Sequence, residues 1–190
     1  MSEFDLKARS YALAEEMLSG PLPRRWRHSM GVARQAKRLL PILGPDGDLL
    51  ESAAILHDVG YSPSIAIIGF HPLDGARFLR ARGGVPEKVI RLVAYHSCAV
   101  LEAEERGLKP ALESEFSEEN SRLVDAMIFC DMTTTPDGAE TSVGERLAEI
   151  QRRYGPDSIV TRFISRAAPE LRAAVERVEK RLAVNERQPM

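Results

Sequence analysis

Apolar positions recur three and four residues apart along nearly the whole chain, and strand-like alternation is almost absent. The spacing predicts a first helix over Ser2 to Leu18, stopped by Ser19-Gly20-Pro21, and a second from Pro23 to Leu40, ended by Pro41. Asp46-Gly47 predicts a turn, and Asp48 to Asp58 a third helix carrying the apolar run Ala53-Ala54-Ile55-Leu56. Residues 59–70 read as a loop with Gly60, Pro63 and Gly69, and its run Ile65-Ala66-Ile67-Ile68 is expected to lie against the body. His71-Pro72 opens a helix to about Arg82, since proline suits the first helical turn, and Gly83-Gly84 closes it. Further helices are expected over Pro86–Ser97, Ala99–Arg106, Glu119–Met132, Ser142–Tyr154 and Asp157–Ala183. Residues 107–118, with Glu113, Glu115 and Glu118, read as an acidic, solvated connection. In the last helix Leu171, Val175, Val178 and Leu182 form a stripe that serves either the chain's own core or a homodimer contact. With no repeat or linker to divide it, the chain is expected to be one all-α domain over residues 1–190.

Composition changes this picture little. At 190 residues, 44% apolar and 28% charged, the chain is an ordinary globular one. Its net charge of -2 supplies no basic field, which disfavours a nucleic-acid duplex as partner. Cys98 and Cys130 form neither a CxxC motif nor a disulfide framework. The sequence shows no signal peptide and no long apolar run, so a cytoplasmic location and no membrane partner are expected.

The informative feature is where the ionisable residues fall. His28 shares a helical face with Val32, Ala36 and Leu39, and His57 with Leu50, Ala53 and Ala54. His96 lies with Val89, Leu92 and Val93, and Asp131 with Val124, Met127 and Ile128. Asp58 follows His57 directly, and His71 sits at a helix start. A lone histidine on an apolar face is more often a satisfied core residue than a ligand. Four histidines and two aspartates aimed inward together, with no lysine or arginine on those faces, call for another partner. A divalent cation satisfies such a set, because neutral imidazole and carboxylate are standard ligands.

The ordered set His28, His57-Asp58 and Asp131 resembles the HD superfamily of metal-dependent phosphohydrolases. The likeness extends through Ala53-Ala54-Ile55-Leu56-His57-Asp58-Val59-Gly60, His71-Pro72-Leu73-Asp74-Gly75-Ala76, Val93-Ala94-Tyr95-His96-Ser97 and Ile128-Phe129-Cys130-Asp131. It covers a core of about residues 23–135, with C-terminal helices following over about 142–184. The resemblance implies that His28, His57, Asp58 and Asp131 hold one metal. It implies that His71 and His96 add a second, with Asp58 bridging the two. The cofactor would be two divalent transition-metal ions, drawn from Mn, Fe, Ni, Co or Zn, with Mg a further candidate. Two features depart from the family pattern. Tyr61 stands where many relatives carry a phosphate-facing lysine, and Met132-Thr133-Thr134-Thr135-Pro136-Asp137-Gly138 matches no substrate signature.

The implied activity is hydrolysis of a phosphoester or phosphoanhydride bond by a hydroxide that the metals generate from water, with Asp58 orienting it. The implied partner is a small phosphorylated molecule, a nucleotide first among them. Arg24, Arg25 and Arg27 precede His28, and Arg27 is the first choice for a phosphate contact by proximity; Tyr61 and Ser97 flank ligand positions and can donate hydrogen bonds. Asp74 and Arg77 read as a local ion pair, and Cys98 and Cys130 as small core residues. Two other readings stay open: a di-iron oxygenase built on the same six ligands, and a non-catalytic metal-containing sensor or binding module.

Overall fold

The computed structural model describes residues 3–119 and 121–187, so the expected helix start at Ser2 lies outside the described residues. The fold is all-α: among the described residues there is no strand, only an isolated bridge between Thr134 and Glu140. The first helices are α1 (Glu3–Leu18), α2 (Pro23–Arg38), α3 (Leu40–Leu43) and α4 (Gly47–Leu56). They are followed by α5 (His71–Arg82), α6 (Glu87–Tyr95), α7 (Ala99–Glu105) and α8 (Lys109–Glu115). Three longer helices complete the fold: α9 (Ser121–Met132), α10 (Val143–Tyr154) and α11 (Ile159–Glu186).

α4 is the axis. Its residues from Leu50 to Leu56 are all buried, because α1, α2, α6 and α9 pack around it. A helix buried on every side belongs in the middle of a helical bundle: Ala53 and Ala54 let neighbours approach closely, and the buried Glu51 is met by Tyr11 and Lys37. α11 packs along α9 and α10. Leu171, Val175 and Val178 are buried there and Leu182 is partly buried, so the stripe serves the chain's own core.

Four local expectations are corrected. Pro41 does not end the second helix; α2 stops at Arg38 and the proline sits in the first turn of α3, where its missing N–H costs nothing. Asp46-Gly47 is not an isolated turn but the junction of a short 3-10 stretch, Gly44–Asp46, with α4. Residues 107–118 contain α8, because Leu112 and Phe116 fall four apart and are both buried, and Arg77 and Arg80 answer Glu115. The apolar run of the 59–70 loop is not seated: Ile65 packs on the core, but Ile67 is 86% exposed.

Candidate metal centre

The chemistry gathers where α4 runs out. The helix ends at Leu56, leaving His57 and Asp58 in the turn that leads into the 3-10 stretch Val59–Tyr61. α2 brings His28, α9 brings Asp131, the first residue of α5 is His71, and His96 follows the end of α6. The imidazoles form a close group, with ring centroids 5.4 Å apart for His28 and His57, 5.1 Å for His57 and His96, and 5.0 Å for His71 and His96. Two overlapping triads, His28–His57–Asp131 and His57–Asp58–His96, each offer ligand atoms lying within 4.8 Å of one another. Asp58 faces both sides: its Oδ2 lies 3.4 Å from His57 Nε2 and 4.0 Å from His28 Nε2, and its Oδ1 lies 3.6 Å from His71 Nε2.

Hydrogen bonding fixes which ring nitrogen faces inward. His57 Nδ1 lies 2.7 Å from Ala54 O, His96 Nδ1 2.7 Å from Val93 O, and His28 Nδ1 2.9 Å from Thr135 O. A carbonyl oxygen can only accept, so each Nδ1 carries a proton, and a ring with that one proton turns its Nε2 lone pair toward the centre. There the lone pairs meet other acceptors. His28 Nε2 is 3.0 Å from Asp131 Oδ1, and His71 and His96 face each other at 3.0 Å between their Nε2 atoms. His57 Nε2 is buried with no hydrogen-bond partner among the described residues. Buried acceptors without donors are costly, and a cation at their focus reconciles them. The residues present therefore fit a divalent metal.

Burial pushes the His71 and His96 imidazoles below their ordinary range, with His96 and His57 respectively adding to it, so both stay neutral as ligands must be. Burial pushes the carboxyls of Asp58 and Asp131 upward, but their polar neighbours outweigh it and both end below the usual carboxylate range. For Asp58 the foremost opposing influence is Arg25, whose Nη1 is 2.9 Å from Oδ2; for Asp131 it is the adjacent His28. The expectation that no arginine shares these faces is thus corrected. Arg25 is three residues before His28, one helical turn away, and it also lies over the Tyr61 ring at 3.8 Å.

The other expected residues divide. Tyr61 stacks on His71 with ring centroids 3.9 Å apart, and Ser97 Oγ donates to Asp131 Oδ2. Ser97 and Cys98 hold positive φ values of 50° and 61°, a sharp left-handed turn between α6 and α7 that aims the hydroxyl inward. Arg27 points away: its Nη2 pairs with Asp137 at 3.0 Å on the surface, and it is Arg25 that reaches the centre, at Asp58. Asp74 does not pair with Arg77; it accepts the backbone N–H groups of Ile68 and Gly69, while Arg77 binds Glu115. Cys130 is buried and Cys98 half-buried, and neither is among the donor triads. The unmatched stretch after Asp131 has a positioning role, since Thr135 O receives the His28 proton and Gly138 O accepts from Arg34 at 2.6 Å.

The residues missed by sequence reasoning lie on α10. Arg146, Ile150 and Arg153 share one face of that helix at the spacing four and three, and all line the cavity above the centre together with Phe163 of α11. The signal was present in the spacing, but nothing local said that this face looks toward His28. Arg146 is 5% exposed, and its Nη2 is 3.9 Å from Asp131 Oδ1.

The HD domain family model matches residues 25–132, more than half of the chain. The chain belongs to the HD domain family. The match takes in all six converging side chains and stops at the end of α9, so the HD domain core supplies the donors and α10 and α11 supply an additional wall. The chain is also similar to Ribonuclease Y of Rhodopirellula baltica, 36% identical over 76 residues. That likeness covers 40% of this chain and 15% of the relative, so the chain spans a small part of that protein's length. No solved structure matches. Among the described residues no helix is long and apolar enough to cross a membrane.

Proposed function

We propose that this HD domain is a metal-dependent phosphohydrolase that cleaves a phosphoester or phosphoanhydride bond of a small phosphorylated substrate, with a nucleotide as first candidate. In this reading His28, His57, Asp58 and Asp131 hold one divalent ion, and His71 and His96 hold a second that shares Asp58. The supporting observation is the set of inward Nε2 lone pairs, locked by Nδ1–H donation to Ala54, Val93 and Thr135, beside two buried carboxylates. Such ions supply Lewis acidity toward water and phosphoryl oxygens.

The chain's own residues do the rest. The backbone carbonyls orient the imidazoles, which keeps the donor positions rigid before a ligand arrives. Ser97 holds one oxygen of Asp131 and leaves the other to face His28. Tyr61 packs flat on His71 and excludes water from that side. Arg25 and Arg146 sit at the two carboxylates as fixed positive charge, suited to developing charge on a phosphoryl group. The partial likeness to a relative named as a ribonuclease supports phosphorus–oxygen bond cleavage as the reaction class and does not select a substrate.

The test is turnover of a panel containing p-nitrophenyl phosphate, bis-p-nitrophenyl phosphate and nucleoside mono-, di- and triphosphates. The protein is loaded in turn with Mn, Fe, Ni, Co, Zn or Mg. Metal-dependent release of phosphate or p-nitrophenol, abolished in Asp58→Ala, is expected. Silence across the panel with every metal refutes the hydrolase reading, and oxygen consumption by the iron form would replace it with the di-iron oxygenase.

A further inference from the structure

Two cavities meet at the metal centre. The inner one, over the donor side chains, offers about 70 Å³, room for a few water-sized groups but not for a nucleoside. The adjoining one offers about 280 Å³ and shares Arg25, His28, Arg146 and Arg153 as a common wall. The rest of its lining is Pro21, Leu22, Pro23 and Pro136, with Arg24, which is paired to Asp137. A substrate portion that extends into the adjoining cavity passes along this wall.

The wall is built, and it is positive. Arg146 is 5% exposed, and its Nε is buried with no hydrogen-bond partner among the described residues. Its Nη1 lies 2.5 Å from Glu149 Oε2, and Arg153 Nε lies 3.4 Å from the other oxygen of the same carboxylate. One glutamate thus orients both guanidinium groups, and the other carboxylate near Arg146, Asp131 at 3.9 Å, is itself a donor to the proposed metals. Arg25 adds a further cation whose partner, Asp58, is a donor to the proposed metals. A buried guanidinium with an unmet donor prefers an oxyanion, and phosphate matches its planar fork.

We propose that Arg146 and Arg153 form an anion subsite beside the metal centre that binds a second phosphoryl group of the substrate. The substrate class is accordingly a molecule containing a diphosphate unit rather than a simple phosphomonoester. This rests on the phosphohydrolase reading for the reaction, but the subsite itself is a binding site and can be tested without turnover. In the reaction, water adds to the phosphorus at the metal centre, the bridging phosphorus–oxygen bond breaks, and the group held by the arginines leaves with the bridging oxygen. A phosphomonoester would leave the Arg146–Arg153 pair facing a neutral remainder. Both arginines lie beyond residues 25–132, so this preference belongs to the chain's own C-terminal helices.

The experiment is calorimetric titration of inorganic pyrophosphate into the metal-free 190-residue chain in chelator, for the wild type, Arg146→Gln and Arg153→Gln. The expected result is saturable one-to-one binding by the wild type, weakened at least tenfold in each variant. Thermal melting checks that each variant is folded. If Arg146→Gln does not fold, Arg153→Gln decides alone, since its side chain is 28% exposed and its loss leaves the core intact. No saturable binding by the wild type, or equal affinity in all three, overturns the subsite. Arginine-dependent pyrophosphate binding without turnover under any metal upholds the subsite while the hydrolase reading falls. Turnover of mono- and diphosphate compounds with equal kcat/KM, unchanged by Arg153→Gln, overturns the subsite and leaves the hydrolase reading standing.

Discussion

Gly60 is the position where one added carbon tests the centre most cleanly. It follows the His57-Asp58 turn and lies against the first turn of α5. A Cβ there would stand 2.0 Å from His71 O, 2.8 Å from His71 C and 2.7 Å from Gly75 N. These are backbone atoms, so no side chain can swing aside. Ordinary contact begins at 3.4 Å, so the turn and the helix start must separate by about 1.4 Å. That displacement moves His71 relative to His96 and Asp58, now 3.0 Å and 3.6 Å from it, while His28 and Asp131 are held on α2 and α9. Overpacking of this kind costs about 1–3 kcal/mol. For a chain of this size that corresponds to a fall in Tm of roughly 2–12 °C. Disturbing a ligand's placement weakens metal binding by about 10- to 100-fold. Gly60→Ala is therefore expected to melt lower and to lose the second metal while keeping the first, read by calorimetric melting and by metal analysis after dialysis. A variant that melts like the wild type and holds both metals with wild-type affinity would refute the packing argument and the placement of His71 in the site together.

Two further outcomes are expected. Asp58→Ala should release both metals, whereas His71→Ala should spare the first, because only Asp58 turns one oxygen toward each side; full loading of both variants in metal analysis would defeat the bridging assignment. Asp74→Ala should lower stability by about 1–3 kcal/mol by stripping the acceptor from the Ile68 and Gly69 N–H groups at the head of α5, and Asp74→Asn should restore most of it, as measured by urea unfolding.

The helical architecture was legible because amphipathic spacing depends only on which residues follow one another. Leu50 to Leu56 announce a buried helix in any context, and Leu171, Val175 and Val178 a helical stripe. The inward aim of His28 and Asp131 follows from the same periodicity; His57 and His96, expected inside helices, stand just past the ends of α4 and α6, and the convergence of all four is what the structure adds. The misjudged segments are those where a distant partner decides. Residues 109–115 look like an acidic loop until Leu112 and Phe116 find the core and Arg77 takes Glu115. Ile67 looks like a core residue until the loop's backbone is tied to Asp74 and leaves it exposed.

The order of residues along this chain therefore determined the helices, their apolar faces and the kind of atom each ionisable residue presents. Only tertiary structure decided which arginine meets Asp58, that Arg27 is held away by Asp137, and that a face of α10 carrying Arg146 and Arg153 closes over His28. The reason is range. Periodicity reports a residue's own helix, whereas an ion pair between residues 33 apart, as between Arg25 and Asp58, exists only once two helices have packed.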